Sequence, residues 1–186
     1  MLPPRLAPFL KQFDDARDRL IARLQGLTDD EYLWEPAPGS WSIRPREHSQ
    51  TNGPLGKEHW VMDFERPEPV PPPITTIAWR MCHLTNGLLY RADYTTGTRS
   101  LAVDDYKIAP DAQAAISSLA AGCETWRTVL TGTTDTDLDQ IGRSQYPWGL
   151  DPGLPFIEIV WWVNQELLGH GAEIALLRDL YRALPR

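Results

Sequence analysis
Cysteine is scarce in this chain: Cys82 and Cys123 are its only two. Two thiols cannot build a disulfide scaffold. Each falls in a stretch of helical periodicity, where a small buried thiol packs like an aliphatic group, so both are expected to be reduced. Basic charge is scarce as well, with 18 Lys and Arg against 25 Asp and Glu for a formal net charge of −7. No Lys/Arg cluster interrupts that balance, which argues against a nucleic-acid partner, since a phosphate backbone is bound by concentrated positive charge. Long apolar runs are missing too. None approaches the ~20 residues that a helix needs to cross a bilayer, and the opening stretch MLPPRLAPFLKQFDDARDRL turns charged within a few residues and lacks an apolar signal core. The expectation is a cytoplasmic protein without a membrane segment. Alternating strand patterns of useful length are also absent, which leaves helices to build the core.

With 42% hydrophobic and 23% charged residues, the chain has enough apolar matter for one sizeable core, and residues 1–186 are read as a single domain. Leu6, Leu10, Phe13, Leu20 and Leu24 recur at helical spacing and predict a first helix over roughly residues 4–25, closed by the glycine of GLTDDEY. A second helix is predicted over ITTIAWRMCHLTNGLLYRADY, with Thr75 or Thr76 as its N-cap. The third covers DAQAAISSLAAGCETWRTVLTG: Pro110 and Asp111 open it, Ile116, Leu119, Ala120, Cys123, Trp126 and Leu130 form its stripe, and Gly132 ends it. A fourth begins near Pro155, after the turn-rich YPWGLDPGLP. Nine of the 17 prolines lie between Pro36 and Pro73, a density that forbids a long helix or a central strand. That stretch reads as a long ordered loop between the first two helices, pinned by Trp34, Trp41 and Trp60. Four long amphipathic helices with one long crossing loop make an all-α four-helix bundle the predicted fold class.

The stretch WVNQELLGHGAEIALLRDLY raises a chemical problem. Phe156, Ile159, Val160, Val163, Leu167, Ile174, Leu177 and Tyr181 fall in one sector of a helical wheel, yet Glu166 and His170, one turn apart, share that sector. An ionised carboxylate turned away from water needs a cation, a hydrogen-bond donor or a raised pKa. Bundles gather inward side chains from facing helices around an ion, and His83 in the second helix is the candidate partner, although it lies about 100° from the Ile77, Met81, Leu84, Leu88 stripe. An ion pair of Glu166 with Arg80 or Arg91 would satisfy the charge without a metal. His48 and His59 sit in the proline-rich loop, where periodicity assigns no placement. Trp79 and Trp126 read as core aromatics, and Cys82, turned about 100° from His83, reads as packing.

Three stretches, EPAPGSWSIRP, ITTIAWRMCHL and WVNQELLGHGAEIALLRDLY, resemble the DinB/YfiT-like superfamily of metal-binding four-helix bundles, and the likeness spans almost the entire chain. The resemblance implies a divalent ion held by one histidine of helix two and by a pair four residues apart in the last helix, here His83, Glu166 and His170. The E-x3-H form departs from the commoner three-histidine set and resembles the zinc triad of the mycothiol-dependent maleylpyruvate isomerase branch. Two nitrogens and one carboxylate oxygen suit Zn²⁺ and leave a fourth position for substrate; Ni²⁺ and Fe²⁺ stay open. Glu173, nearly aligned with Glu166 at i+7, is the candidate for orienting an imidazole from outside the ligand set. Thiol-dependent relatives make an S-transferase the leading expectation, with a mycothiol- or bacillithiol-type cosubstrate and a small electrophile as substrate. The alternatives are a non-catalytic or structural metal-binding bundle, as a homodimer, and a metal-dependent hydrolase.

Overall fold
Residues 2–145, 151 and 153–185 are described in this computed structural model. Most of the turn-rich stretch before the last helix, Tyr146 to Leu150 and Pro152, lies outside them. Helix α1 (Ala7–Arg23) carries Pro8 in its first turn, where a missing N–H costs no intrahelical bond, and buries Leu10, Phe13, Ala16 and Leu20. The chain leaves it through Gly26, whose φ of 70° is a left-handed conformation that a side chain would strain. Thr28 then caps the short α2 (Asp29–Tyr32), its hydroxyl accepting from the Glu31 N–H at 3.2 Å. Of the two threonines considered for the next cap, Thr76 takes the role, accepting from the Trp79 N–H at 3.2 Å as α3 (Ile77–Thr96) begins. Asp111 opens α4 (Ala112–Thr131) in the same way at 2.8 Å, and Gly132 closes it.

The last helix, α5 (Phe156–Ala183), buries every apolar residue of the stripe named above. The stripe of α4 is rotated from its expected position: Ala115 and Gly122 are buried, whereas Ile116 and Ala120 are only half covered. Close approach of α3 accounts for this, since a Cβ on Gly122 would stand 3.4 Å from the Thr85 carbonyl oxygen. Helix α3 packs most extensively on α4 and α1 on α5; contacts of α3 with α5 and of α1 with α4 close a ring around one apolar core. Among the described residues no helix is long and apolar enough to cross a membrane.

The chain is mostly helical, as expected, and where proline density forbids helix it forms one small two-stranded sheet within the stretch read as loop. Strand β1 (Ile43–Pro45) pairs antiparallel with β2 (Trp60–Met62), Ile43 opposite Met62 and Pro45 opposite Trp60. Three residues per strand are too few for alternation to register in a sequence. A fully buried carboxylate, Asp63, organises this ribbon by accepting from Ser42 N at 3.0 Å, Arg44 Nε at 2.7 Å, Ser49 Oγ at 3.1 Å and Gln50 N at 3.3 Å. Trp41, buried, bonds through its backbone to Ile74 and Thr76, each at 2.9 Å, and so fastens the ribbon to the start of α3.

The buried face of α5 also carries Arg178, which hydrophobic periodicity did not single out. Its guanidinium donates to both carboxylate oxygens of Glu31, at 2.7 and 3.1 Å, and to the carbonyls of Arg23 and Gln25, tying α5 to the end of α1 and to α2. Both side chains are almost wholly out of water. Glu31→Ala strands a guanidinium charge, so it is expected to cost about 3–5 kcal/mol, read from the urea midpoint. The pair Glu31→Leu with Arg178→Met is expected to recover most of that loss.

Candidate metal centre
Facing flanks of α3 and α5 bring three sequence-distant donors together. His83 Nε2 stands 3.1 Å from Glu166 Oε2, and His170 Nε2 stands 3.3 Å from the same oxygen. The two imidazole rings are nearly perpendicular, at 87°, with centroids 5.0 Å apart. One donor atom from each residue lies within 4.8 Å of the others. The side chains are half buried, Glu166 retaining 29% of its exposure, rather than sunk in the core. Leu167 and Ile174 occupy the centre of the buried face of α5, which leaves Glu166 and His170 on the flank beside α3. The offset of His83 from its own helix's apolar stripe carries it to that same flank.

Glu166 is answered by imidazoles alone: among the described residues no Lys or Arg lies within ion-pairing reach of it. Both arginine alternatives are occupied elsewhere. Arg80 pairs with Glu173, and Arg91 donates to Asp151 at 2.6 Å and to the Ser144 carbonyl at 2.7 Å. Partial burial by itself pushes the Glu166 carboxyl up, but the hydrogen bonds to His170 and His83 outweigh it and bring the group down to about 2. Burial likewise pulls His170 down, and its bonds to Glu166 and Glu173 overcome that to leave it raised.

Further side chains hold the two imidazoles. Glu173 places Oε2 2.7 Å from His170 Nδ1, and Arg80 Nη1 lies 2.9 Å from that nitrogen while pairing with Glu173. A proton on Nδ1 directed at Glu173 leaves the Nε2 lone pair of a neutral ring facing Glu166. On the other side, the Trp79 indole stacks on His83 at 5.2 Å and 11°, and its Nε1 donates to the Asp63 carbonyl at 2.7 Å. Trp79 is thus a clamp on His83 rather than simple core. Neither Trp79 nor Arg80 was assigned to the site from sequence, yet both stand one turn before His83, at i−4 and i−3, where a helix brings side chains together. His48 and His59 are exposed beside the ribbon, His59 facing Glu47 at 3.7 Å. Burial pushes the Cys82 and Cys123 thiols up to about 12, so neither is a nucleophile at neutral pH.

The donor set could hold a metal ion. Ligand atoms ~2.0–2.1 Å from a tetrahedral ion stand ~3.3 Å apart, and the two separations from Glu166 Oε2 are 3.1 and 3.3 Å. Two nitrogens and one oxygen leave one coordination position open.

A family model for the DinB superfamily matches residues 12–46 and 60–174. The match includes all three candidate ligands and passes over the connection between β1 and β2. No curated protein and no solved structure matches the chain.

In metal-free protein this cluster carries a pH dependence of defined sign. Glu166, lowered from 4.5 to about 2, contributes its full stability above pH 4.5 and loses it as pH falls through about 2. His170, raised from 6.5, contributes fully below pH 6.5 and loses that contribution as pH rises through its folded value. The cluster's contribution is therefore expected to be greatest between pH 4.5 and 6.5. In melting curves recorded with a chelator present, Glu166→Gln is expected to flatten that maximum.

Proposed function
Because the chain belongs to the DinB superfamily, we propose that its four long helices form a four-helix bundle within a single domain, and that His83, Glu166 and His170 hold one divalent ion. Zinc is the first choice for this donor set, with nickel or iron as substitutes. The observation that carries the reading is the convergence of two Nε2 atoms on one carboxylate oxygen that has no arginine or lysine partner among the described residues. An ion held there supplies the positive charge that keeps a low-molecular-weight thiol ionised at neutral pH. The reaction we infer is S-transfer from a thiol of the mycothiol or bacillithiol class to a small electrophile.

Each residue around the cleft has a part in this reading. Glu166 offsets the ion's charge and orders both imidazoles. Glu173, itself paired with Arg80, orients His170, and stacking on Trp79 fixes the ring plane of His83. The three side chains keep 20–30% of their surface exposed, so a small molecule can reach them from solvent. The chain's own thiols are sealed in the core, so the sulfur must come from a cosubstrate. A net charge of −7 favours a small-molecule substrate over nucleic acid.

Wild-type protein is expected to take up a single Zn²⁺ in competition with a chromogenic chelator. His83→Ala, Glu166→Gln and His170→Ala are each expected to lose it, and Glu173→Gln to weaken it about 10- to 100-fold. Zinc uptake that ignores these substitutions would overturn the site. Since the apolar core lies apart from the cleft, chelation is expected to leave the far-UV circular dichroism unchanged; a fold that melts with metal loss would assign the ion a structural role instead. Zinc-loaded protein incubated with mycothiol or bacillithiol and a panel of electrophiles is expected to consume thiol. No consumption in any combination removes S-transfer, and ester cleavage without thiol would move the function to hydrolysis.

A further inference from the structure
Next to the candidate metal centre, α3 and α5 enclose a cavity of about 30 Å³ lined by Leu84, Gly87, Leu88, Trp162 and Val163. His83 and Glu166 border it at one end, and Arg91 borders it at the other. His83, Gly87 and Arg91 are successive turns on one face of α3, so the cavity runs along that face away from the ligands. Its far end is electrically closed. Arg91 is engaged by the Ser144 carbonyl and by Asp151, and its guanidinium lies over the Trp162 ring at 4.8 Å. Between the two ends the walls are aliphatic side chains and indole.

Gly87 calls for an explanation that packing does not provide. Glycine inside a helix weakens it relative to alanine. At Gly122 close approach of α3 accounts for the glycine, but a Cβ built on Gly87 meets nothing within 4 Å. The space that a side chain at this position would occupy belongs to the cavity, one turn from His83 and opposite Trp162.

We propose that this cavity seats one methyl-sized uncharged group at the end of the small molecule whose reactive end lies at His83, Glu166 and His170, and that Gly87 keeps that space free. The orientation of that molecule rests on the metal-centre reading, whereas the cavity and its gate do not. A charged substituent is disfavoured, because the walls offer no partner for it and the one arginine is already engaged.

Two measurements test this, one with metal and one without. Cobalt-substituted protein is titrated with straight-chain alkanethiols of increasing length, read from the thiolate-to-cobalt charge-transfer band. Affinity is expected to rise about three- to fourfold at the one methylene step that carries the chain end into the cavity, the gain from burying a CH₂ group, and to stay level for longer chains. Gly87→Leu is expected to abolish that step while leaving the cobalt d–d spectrum intact. Gly87→Ala is expected to raise the Tm and to bring the plateau to shorter chains. Separately, chelator-treated protein is titrated with 1-butanol, with saturable shifts expected at the Leu84, Leu88 and Val163 methyl resonances and lost in Gly87→Leu. A flat chain-length series on cobalt-loaded protein, a step indifferent to both Gly87 variants, or butanol shifts absent from these methyls would each overturn the proposal. Failure to bind cobalt removes the metal reading alone, and the butanol titration then decides the cavity.

Discussion
The constraint on which the site turns is the solvation of one carboxylate. Glu166 has given up most of its water at the α3–α5 flank, and the groups that replace it are imidazoles rather than guanidinium or ammonium. An arginine partner would have closed the charge balance and left an inert structural ion pair. Imidazoles exchange a proton for a metal ion near neutral pH, so the same geometry that satisfies the carboxylate is one that could hold a metal ion. The three residues therefore act as one unit, and the pull of Glu166 on both rings is what gives the cluster its chemistry.

That unit is held from two sides by polar links that begin far from it. Asp63, buried in the ribbon, orders the proline-rich segment and presents its carbonyl to Trp79, which stacks on His83. The ribbon braces the turn of α3 that carries His83 from behind. On the other side Arg80 and Glu173 bridge α3 and α5 around His170 Nδ1. Further along α5 the Arg178–Glu31 pair locks the helix to α1 and α2. A buried ion pair is expensive to desolvate, and here its contribution is positional: it ties α5 to the end of α1 beyond the turn that carries Glu166 and His170.

The division between apolar cavity and polar cleft follows from the same arrangement. From His83 and Glu166 toward Arg91 and Trp162 the residues of α3 and α5 that line the cavity become hydrocarbon, and Gly87 withholds a side chain from the gap. The His/Glu cluster and the apolar cavity thus lie side by side between the same two helices. The chain's cysteines take no part, because burial holds both as neutral thiols within the core.

Local periodicity by itself determined the four long helices, the Asp111 cap, the buried face of α5 and the one-turn spacing of Glu166 and His170. All of these depend on neighbours within a turn or two of the same helix, where a repeat of about 3.6 residues leaves its mark. Only the tertiary structure decided which group answers Glu166. From the sequence His83, Arg80 and Arg91 were all open, and the crossing of α3 over α5 selected a histidine 83 residues away. The ribbon, the buried Asp63 and the Arg178–Glu31 pair were equally hidden, for one reason. A polar group inside a protein is paired through space with whatever the packing brings to it, and such pairings leave no period in the chain.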